Sequence, residues 1–258
     1  MSVDDFPIAG NPAGASTEPV ALSPVAAGIA LWWCELTRSD AEMTRLAEWL
    51  SPSEHARAAR FGTAALRRRW TAGRGTLRLL LARTIGVAPD AVALARGVRG
   101  RPQLADASLG VDFNVSNTLS VALVAIARGL PAPTRIGVDI EHEDRAVGTD
   151  RLATKFLTPR EHATLDPLAA EARRQRFLRH WTCKEAMSKA TGEGLAAPFG
   201  RLDIDVDAGP CVVAGPPPYD PQAWTLHAVD VPEGFLATIA VWHGGPALPP
   251  TDAAANSV

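Results

Sequence analysis

Arg135-Ile136-Gly137-Val138-Asp139-Ile140-Glu141-His142-Glu143 alternates in character with the period of a β-strand. Val138 and Ile140 fall on one face, Asp139 and Glu141 on the other. Neighbouring carboxylates repel unless a positive charge lies between them. Two readings stand: a solvated edge-strand face, or a divalent-cation site. Mg2+ takes one or two protein carboxylates together with waters and phosphate oxygens. Downstream, residues 177–195 read FLRHWTCKEAMSKATGEGL, a helical pattern in which Phe177, Leu178 and Trp181 mark the buried stripe. Glu185 lies one turn past Trp181 and Lys189 one turn past Glu185, both toward that stripe. They form either an ordinary i,i+4 pair or a third carboxylate and a lysine aimed into a cleft. Lys184, near Phe177 on the same broad face, would add a phosphate-seeking charge.

Working outward, the strand opens the second of two similar halves. Helices are expected at 149–165, interrupted at Thr158-Pro159, where Thr158 can cap and Pro159 can take the first turn, and at 170–191, ending at Gly192. Strands at 203–206, 224–231 and 235–243 complete that half. The first half opens with the strand 29–37 and continues with helices at 39–50, 52–61 and 65–84. Two strands come next, from Asp112 to Asn117 and from Leu119 to Ala127, turning at Ser116–Thr118. Each half thus runs early strand, helices, late apolar strand, which suggests an internal duplication. The expected organisation is a disordered arm over 1–27, an N-terminal α+β half over 28–130, a C-terminal α+β half over 131–245 and a disordered tail over 246–258.

Composition narrows the function. The chain has 258 residues, 47% hydrophobic and 21% charged, with 28 acidic against 26 basic side chains and a net charge of −2. That balance gives no general pull toward nucleic acid. No apolar run is long enough to span a bilayer, and the first twenty residues lack a hydrophobic secretion core. Cys34, Cys183 and Cys211 are scattered, with neither disulfide nor zinc spacing. The expectation is a soluble, cytoplasmic protein. No phosphate loop of the G-x-x-x-x-G-K-[ST] type, dinucleotide fingerprint, H-E-x-x-H or G-x-S-x-G occurs. Only three of the basic residues are lysines, Lys155, Lys184 and Lys189, and a lysine in an arginine-rich chain suits a site wanting a compact charge. The first half supplies arginines: Arg57 and Arg60, then Arg67, Arg68 and Arg69, then Arg101 in the loop GVRGRPQL. Most such arginines belong to solvated faces, yet a ligand with several phosphates would need some of them.

The pair of signatures, GVDIE and then WTCKEAMSKATGEGL, resembles that of the 4′-phosphopantetheinyl transferases, in particular the larger single-chain type similar to surfactin-synthetase activating enzymes. Upstream matches are the Ser51–Phe61 helix, Arg69 and Gly73, the Gly100–Pro102 loop and Phe113–Ser116. The resemblance covers roughly residues 30–243 and implies two α+β halves about a pseudo-twofold axis, with coenzyme A in the cleft between them. It implies that Asp139, Glu141 and Glu185 hold Mg2+, that Lys189 meets the reacting phosphate and that Lys184 adds charge nearby. Arg57, Arg69 and Arg101 would grip the phosphates of coenzyme A, and Ser116 would line the nucleotide site. Many members carry histidine after that serine, where it meets the 3′-phosphate; here the residue is Asn117, which can donate a hydrogen bond but brings no charge.

The implied reaction moves 4′-phosphopantetheine from coenzyme A to a serine of an apo acyl or peptidyl carrier protein of a polyketide, nonribosomal peptide or fatty-acid synthase, releasing 3′,5′-ADP. Glu185 is the candidate general base, directly or through water. The implied enzyme is a monomer, with neither nucleic acid nor membrane as partner. The alternative is a non-catalytic module on the same fold that binds coenzyme A or a carrier protein.

Overall fold

The computed structural model describes residues 18–145 and 148–244. In chain order the elements are β1 (Val20–Ala21), β2 (Ile29–Glu35), α1 (Asp40–Glu48), α2 (Pro52–Ala59), α3 (Ala64–Ile85), β3 (Leu94–Arg96), β4 (Pro102–Leu104), β5 (Val111–Thr118) and β6 (Val121–Arg128). The second half continues with β7 (Arg135–His142), α4 (Thr149–Phe156), α5 (Pro159–Ala163), α6 (Ala170–Thr191), β8 (Asp203–Asp205), β9 (Cys211–Ala214), β10 (Trp224–Ala228) and β11 (Phe235–Trp242).

Two antiparallel sheets carry the fold, β1-β2-β6-β5 and β10-β11-β7. The duplication expected from the sequence is present in the topology. Leaving β1 aside, each sheet places its half's first strand beside its last, and the last beside the one before: β2-β6-β5 and β7-β11-β10. Each half also carries one long helix of 22 residues, closed by a left-handed glycine, Gly86 at φ 76° and Gly192 at φ 81°.

The strand β6, Val-Ala-Leu-Val-Ala-Ile-Ala-Arg, is an unbroken apolar run because both of its faces are covered. Ala122, Val124 and Ile126 pack with Leu77, Leu80 and Leu81 of α3. Val121, Leu123 and Ala125 face the other way, onto Ile136, Val138 and Ile140 of β7 and Ile239 and Val241 of β11. Beyond that second sheet, α6 sets Cys183, Ala186, Met187 and Ala190 against Leu226 and Ala240. The order is therefore helix, sheet, sheet, helix, and each fully buried branched side chain contributes about 1.5–3 kcal/mol. The two halves are seamed where β5 runs beside β7. Side chains replace a backbone ladder there: Asp112 Oδ2 accepts from the Ile136 amide at 2.8 Å and Asn114 Oδ1 from the Val138 amide at 3.0 Å.

Three expectations need correction. Within the stretch read as a disordered arm, β1 pairs with β2, and Leu22, Val25 and Ala26 pack on the inter-sheet core. Apolar side chains dispersed among Pro, Gly and Ser hid this; residues 1–17 and the tail 246–258 lie outside the described residues. The turn between β5 and β6 falls at Leu119-Ser120 and not at Ser116–Thr118, with Leu119 at φ 49°. Ser116 and Asn117 are thus strand residues with opposite facings. The short pairs β3–β4 and β8–β9 also include strands that were not foreseen. Among the described residues no helix is long and apolar enough to cross a membrane.

Candidate active site

The carboxylates of β7 are not on a solvated face. Gly137, Asp139 and Glu141 alternate toward α6, leaving Asp139 only 4% and Glu141 7% exposed. A strand covered on both sides cannot leave such groups uncompensated, and α6 brings the compensation. Lys189 Nζ lies 2.6 Å from Asp139 Oδ1, donates to Ser116 Oγ at 2.7 Å and reaches the Val138 carbonyl at 3.2 Å. Ser116 itself, from β5 of the other half, donates to Asp139 Oδ1 at 2.7 Å. Three elements from two halves therefore meet at one carboxylate. Its second oxygen, Asp139 Oδ2, is buried and accepts no hydrogen bond.

Glu141 is held by Arg145, four residues on, and accepts a hydrogen bond from Trp181 Nε1 at 3.2 Å. Burial, then the charge of Asp139, pushes Glu141 up to about 7. The same two causes, in that order, push Glu185 up to about 7. Burial first and the neighbouring Asp139 charge second make Glu141 and Glu185 keep their protons unusually late, although Arg145 and Lys189 pull the other way. Among the described residues no three such side chains already close around one point. The donor set nonetheless fits a hard divalent cation: oxygen ligands only, mutually repelling, one of them a buried oxygen with no partner. Trp181 and Arg145 were not singled out from the sequence as partners of Glu141. Helical spacing one turn before Glu185 pointed to Trp181, but nothing pointed to Arg145.

On its other face β5 lines a cavity of about 170 Å3, together with α3. Arg69, Trp70, Gly73, Arg74 and Asn117 border it, over an apolar floor that includes Leu77 and Phe113. Arg69 and Asn117 thus border one cavity, next door to Ser116. Arg74 was not foreseen there; its guanidinium lies 5.5 Å from the Trp70 ring centroid and pairs with Glu54 at 3.4 Å. Arg57 is exposed and outside the lining, its guanidinium 6.0 Å from the same ring centroid.

Three of the residues assigned to coenzyme A are engaged elsewhere: Ser116, buried on the seam face of β5 against Asp139 and outside the cavity lining, then Lys184 and Arg101. Lys184 is fully buried, and its ammonium is spent on Glu161 Oε2 at 2.6 Å and on the carbonyls of Phe199 at 2.7 Å and Phe156 at 2.9 Å. Lys189 also has three acceptors, but its side chain is 26% exposed whereas that of Lys184 is 0% exposed, so of the two only Lys189 is open to a ligand. Neighbouring Lys184 and Glu185 point about 100° apart around the helix, and only Glu185 turns to the cleft. Arg101 is 8% exposed and forms a two-pronged pair with Asp112 at 2.7 and 2.9 Å. It also donates to the carbonyls of Ile136 at 2.7 Å, Phe113 at 3.2 Å and Lys189 at 3.0 Å. It fastens the two halves together and does not reach out to a ligand.

The fold and site define a duplicated α+β enzyme with its acidic cluster at the seam. The family profile described as the 4′-phosphopantetheinyl transferase superfamily matches residues 135–240, and that of the N-terminal part of a 4′-phosphopantetheinyl transferase matches residues 35–128. The 4′-phosphopantetheinyl transferase HetI of Nostoc sp. is 39% identical over 181 residues, 69% of this chain and 75% of that protein. The L-aminoadipate-semialdehyde dehydrogenase-phosphopantetheinyl transferase of Xenopus laevis is 29% identical, over 67% of this chain and 59% of its own length. A holo-[acyl-carrier-protein] synthase of Jannaschia sp. is 30% identical, over 41% of this chain and 72% of its own. The chain belongs to the 4′-phosphopantetheinyl transferase superfamily and is an enzyme of that transferase type.

Proposed function

We propose that the protein transfers 4′-phosphopantetheine from coenzyme A to a serine of an apo carrier protein, yielding holo-carrier and 3′,5′-ADP. The observation that carries this reading is the convergence of Asp139, Glu141, Glu185 and Lys189 at the seam, beside a cavity bordered by Arg69 and Asn117. Asp139, Glu141 and Glu185 would hold Mg2+, which when bound neutralises charge on the pyrophosphate. Lys189, tethered through Asp139 and Ser116, is placed to steady the phosphate under attack. Arg69 and Asn117 would receive the nucleotide end of coenzyme A, with Arg57 at the rim. Glu185, facing the cleft one helical turn from Lys189, is the candidate base, acting directly or through water. The serine oxygen bonds to the β-phosphorus, the bond from that phosphorus to the 3′,5′-ADP oxygen breaks, and the serine proton passes to Glu185. The carriers would be those of polyketide, nonribosomal peptide or fatty-acid synthases, and the setting the cytoplasm. One chain supplies both halves of the cleft, which supports a monomer.

The test is to incubate the protein with coenzyme A, Mg2+ and an apo carrier domain and to weigh the carrier. A gain equal to phosphopantetheine, lost in Asp139→Ala, is expected. Coenzyme A binding without any gain in mass, across carriers of all three synthase types, would favour the non-catalytic module.

A further inference from the structure

The duplication repeats one buried feature that the catalytic reading does not use. In each half a short helix begins Ser/Thr-Pro-x-Glu, with the glutamate closing a capping box: Ser51-Pro52-Ser53-Glu54 in α2 and Thr158-Pro159-Arg160-Glu161 in α5. Each glutamate then takes a cation from the fifteenth residue of its half's long helix. Arg78 Nε meets Glu54 Oε2 at 2.8 Å, and Lys184 Nζ meets Glu161 Oε2 at 2.6 Å. The eleventh residue approaches the other oxygen in both halves, Arg74 at 3.4 Å and His180 at 3.6 Å. Arg78 also donates to the carbonyls of Pro89 and Val92, and Lys184 to those of Phe156 and Phe199. The two staples are built alike, but the helix residues one and five places beyond each anchoring cation differ. These sixteenth and twentieth positions are Leu79 and Arg83 on α3, and Glu185 and Lys189 on α6.

We infer that Glu161 is a positioning residue for the transfer reaction, setting through Lys184 the rotation of α6 that aims Glu185 and Lys189 at β7. Its twin Glu54, paired with Arg74 at the cavity border, has no such carboxylate and lysine to aim, so that its loss affects stability and coenzyme A affinity and not turnover. Glu161 is fully buried and binds at three places: the Thr158 amide at 2.8 Å, the Ile204 amide at 2.8 Å, and Lys184. It therefore fixes α6 against both α5 and β8. Lys184 adjoins Glu185, and Trp181, less than a turn before it, reaches Glu141. A change in the anchor shifts all these contacts together. Misplacement by about 1 Å can cost about 100-fold in rate. This inference rests on the proposed reaction, and the first half supplies its control.

The experiment compares Glu161→Gln with Glu54→Gln. Both break a buried pair, so their melting temperatures should fall by comparable amounts. Below both transitions, at saturating coenzyme A and Mg2+, kcat should drop about tenfold or more in E161Q and stay within about twofold in E54Q. Mn2+ binding, read by electron paramagnetic resonance without coenzyme A or carrier, should weaken in E161Q only. If E161Q fails to fold, the double variant E161Q/K184M leaves no unpaired buried charge and takes its place. Equal kcat and equal Mn2+ affinity in the two staple variants would overturn the inference. A wild-type protein that loads no carrier would refute the reaction instead, while the Mn2+ comparison would still decide the role of Glu161.

Discussion

Glu141 and Glu185 each stand at about 7 when folded, above the ordinary carboxylate value of 4.5, because burial and Asp139 disfavour their charge. For a group raised on folding, its contribution to stability is full below the unfolded value and is lost as pH climbs through the folded one. His180 works oppositely. Burial holds it down to about 3, so its contribution grows as pH rises toward its unfolded value of 6.5. The clean observable is therefore a difference. In EDTA, wild type minus Glu185→Gln should lose stability between about pH 5 and pH 8, and added Mg2+ should restore it at the upper end. A difference that is flat or rises over that window would show that Glu185 does not carry the raised value. A second prediction concerns Asn117, exposed at the cavity that Arg69 borders. A histidine there, beside a phosphate, would have its charged form favoured and its pKa raised. Asn117→His should add on the order of 1 kcal/mol to coenzyme A binding at low pH. The gain should fade as pH climbs through that raised value and be absent for 3′-dephospho-coenzyme A. Equal gains for both ligands would place residue 117 away from the 3′-phosphate.

At the scale of elements, the contact of β7 with α6 makes the site, and it depends on Gly137. A Cβ there would overlap the Ala186 carbonyl and crowd the Ala190 amide, both backbone atoms that cannot step aside. This close approach lets Lys189 reach Asp139. Gly137→Ala should destabilise the fold at or beyond the upper end of the usual about 1–3 kcal/mol for overpacking. Denaturant titration measures it, and a loss under about 0.5 kcal/mol would mean that the helix does not sit this close. The helices themselves were legible because their ends are written locally. Ser51, Thr63 and Thr158 accept from the third amide of their helices, and Gly86 and Gly192 close the long ones. The β5–β6 turn was misplaced because Ser116-Asn117-Thr118 has turn composition while Leu119, which takes the left-handed conformation, does not.

For the whole molecule, Arg101 ties β5, β7 and α6 into one body. Arg101→Ala strands Asp112 in a half-buried position and frees three carbonyls. We expect a loss of about 3–5 kcal/mol in unfolding free energy, since removing one partner leaves the other charge uncompensated. A phosphate grip would instead leave stability unchanged and raise KM alone, so thermal melts and steady-state kinetics of the same variant separate the two roles.

Amino-acid pattern alone located the long helices, the paired acidic residues of β7 and the Glu185–Lys189 pair of α6, because alternation, caps and helical spacing are local properties of the chain, and it suggested the duplication. Only the family resemblance assigns Arg69 and Asn117 to one ligand; the structure sets both at one cavity. Only the tertiary structure decided which cations belong to the site. Lys184 and Arg101 carry the same charge as Lys189 and Arg69, but packing buries them with Glu161 and Asp112, whereas Lys189, although paired with Asp139, keeps its side chain 26% exposed. Charge is written in the sequence, whereas burial is set by long-range packing, and burial makes one lysine of α6 a structural anchor while the other, left partly exposed, is a candidate for chemistry.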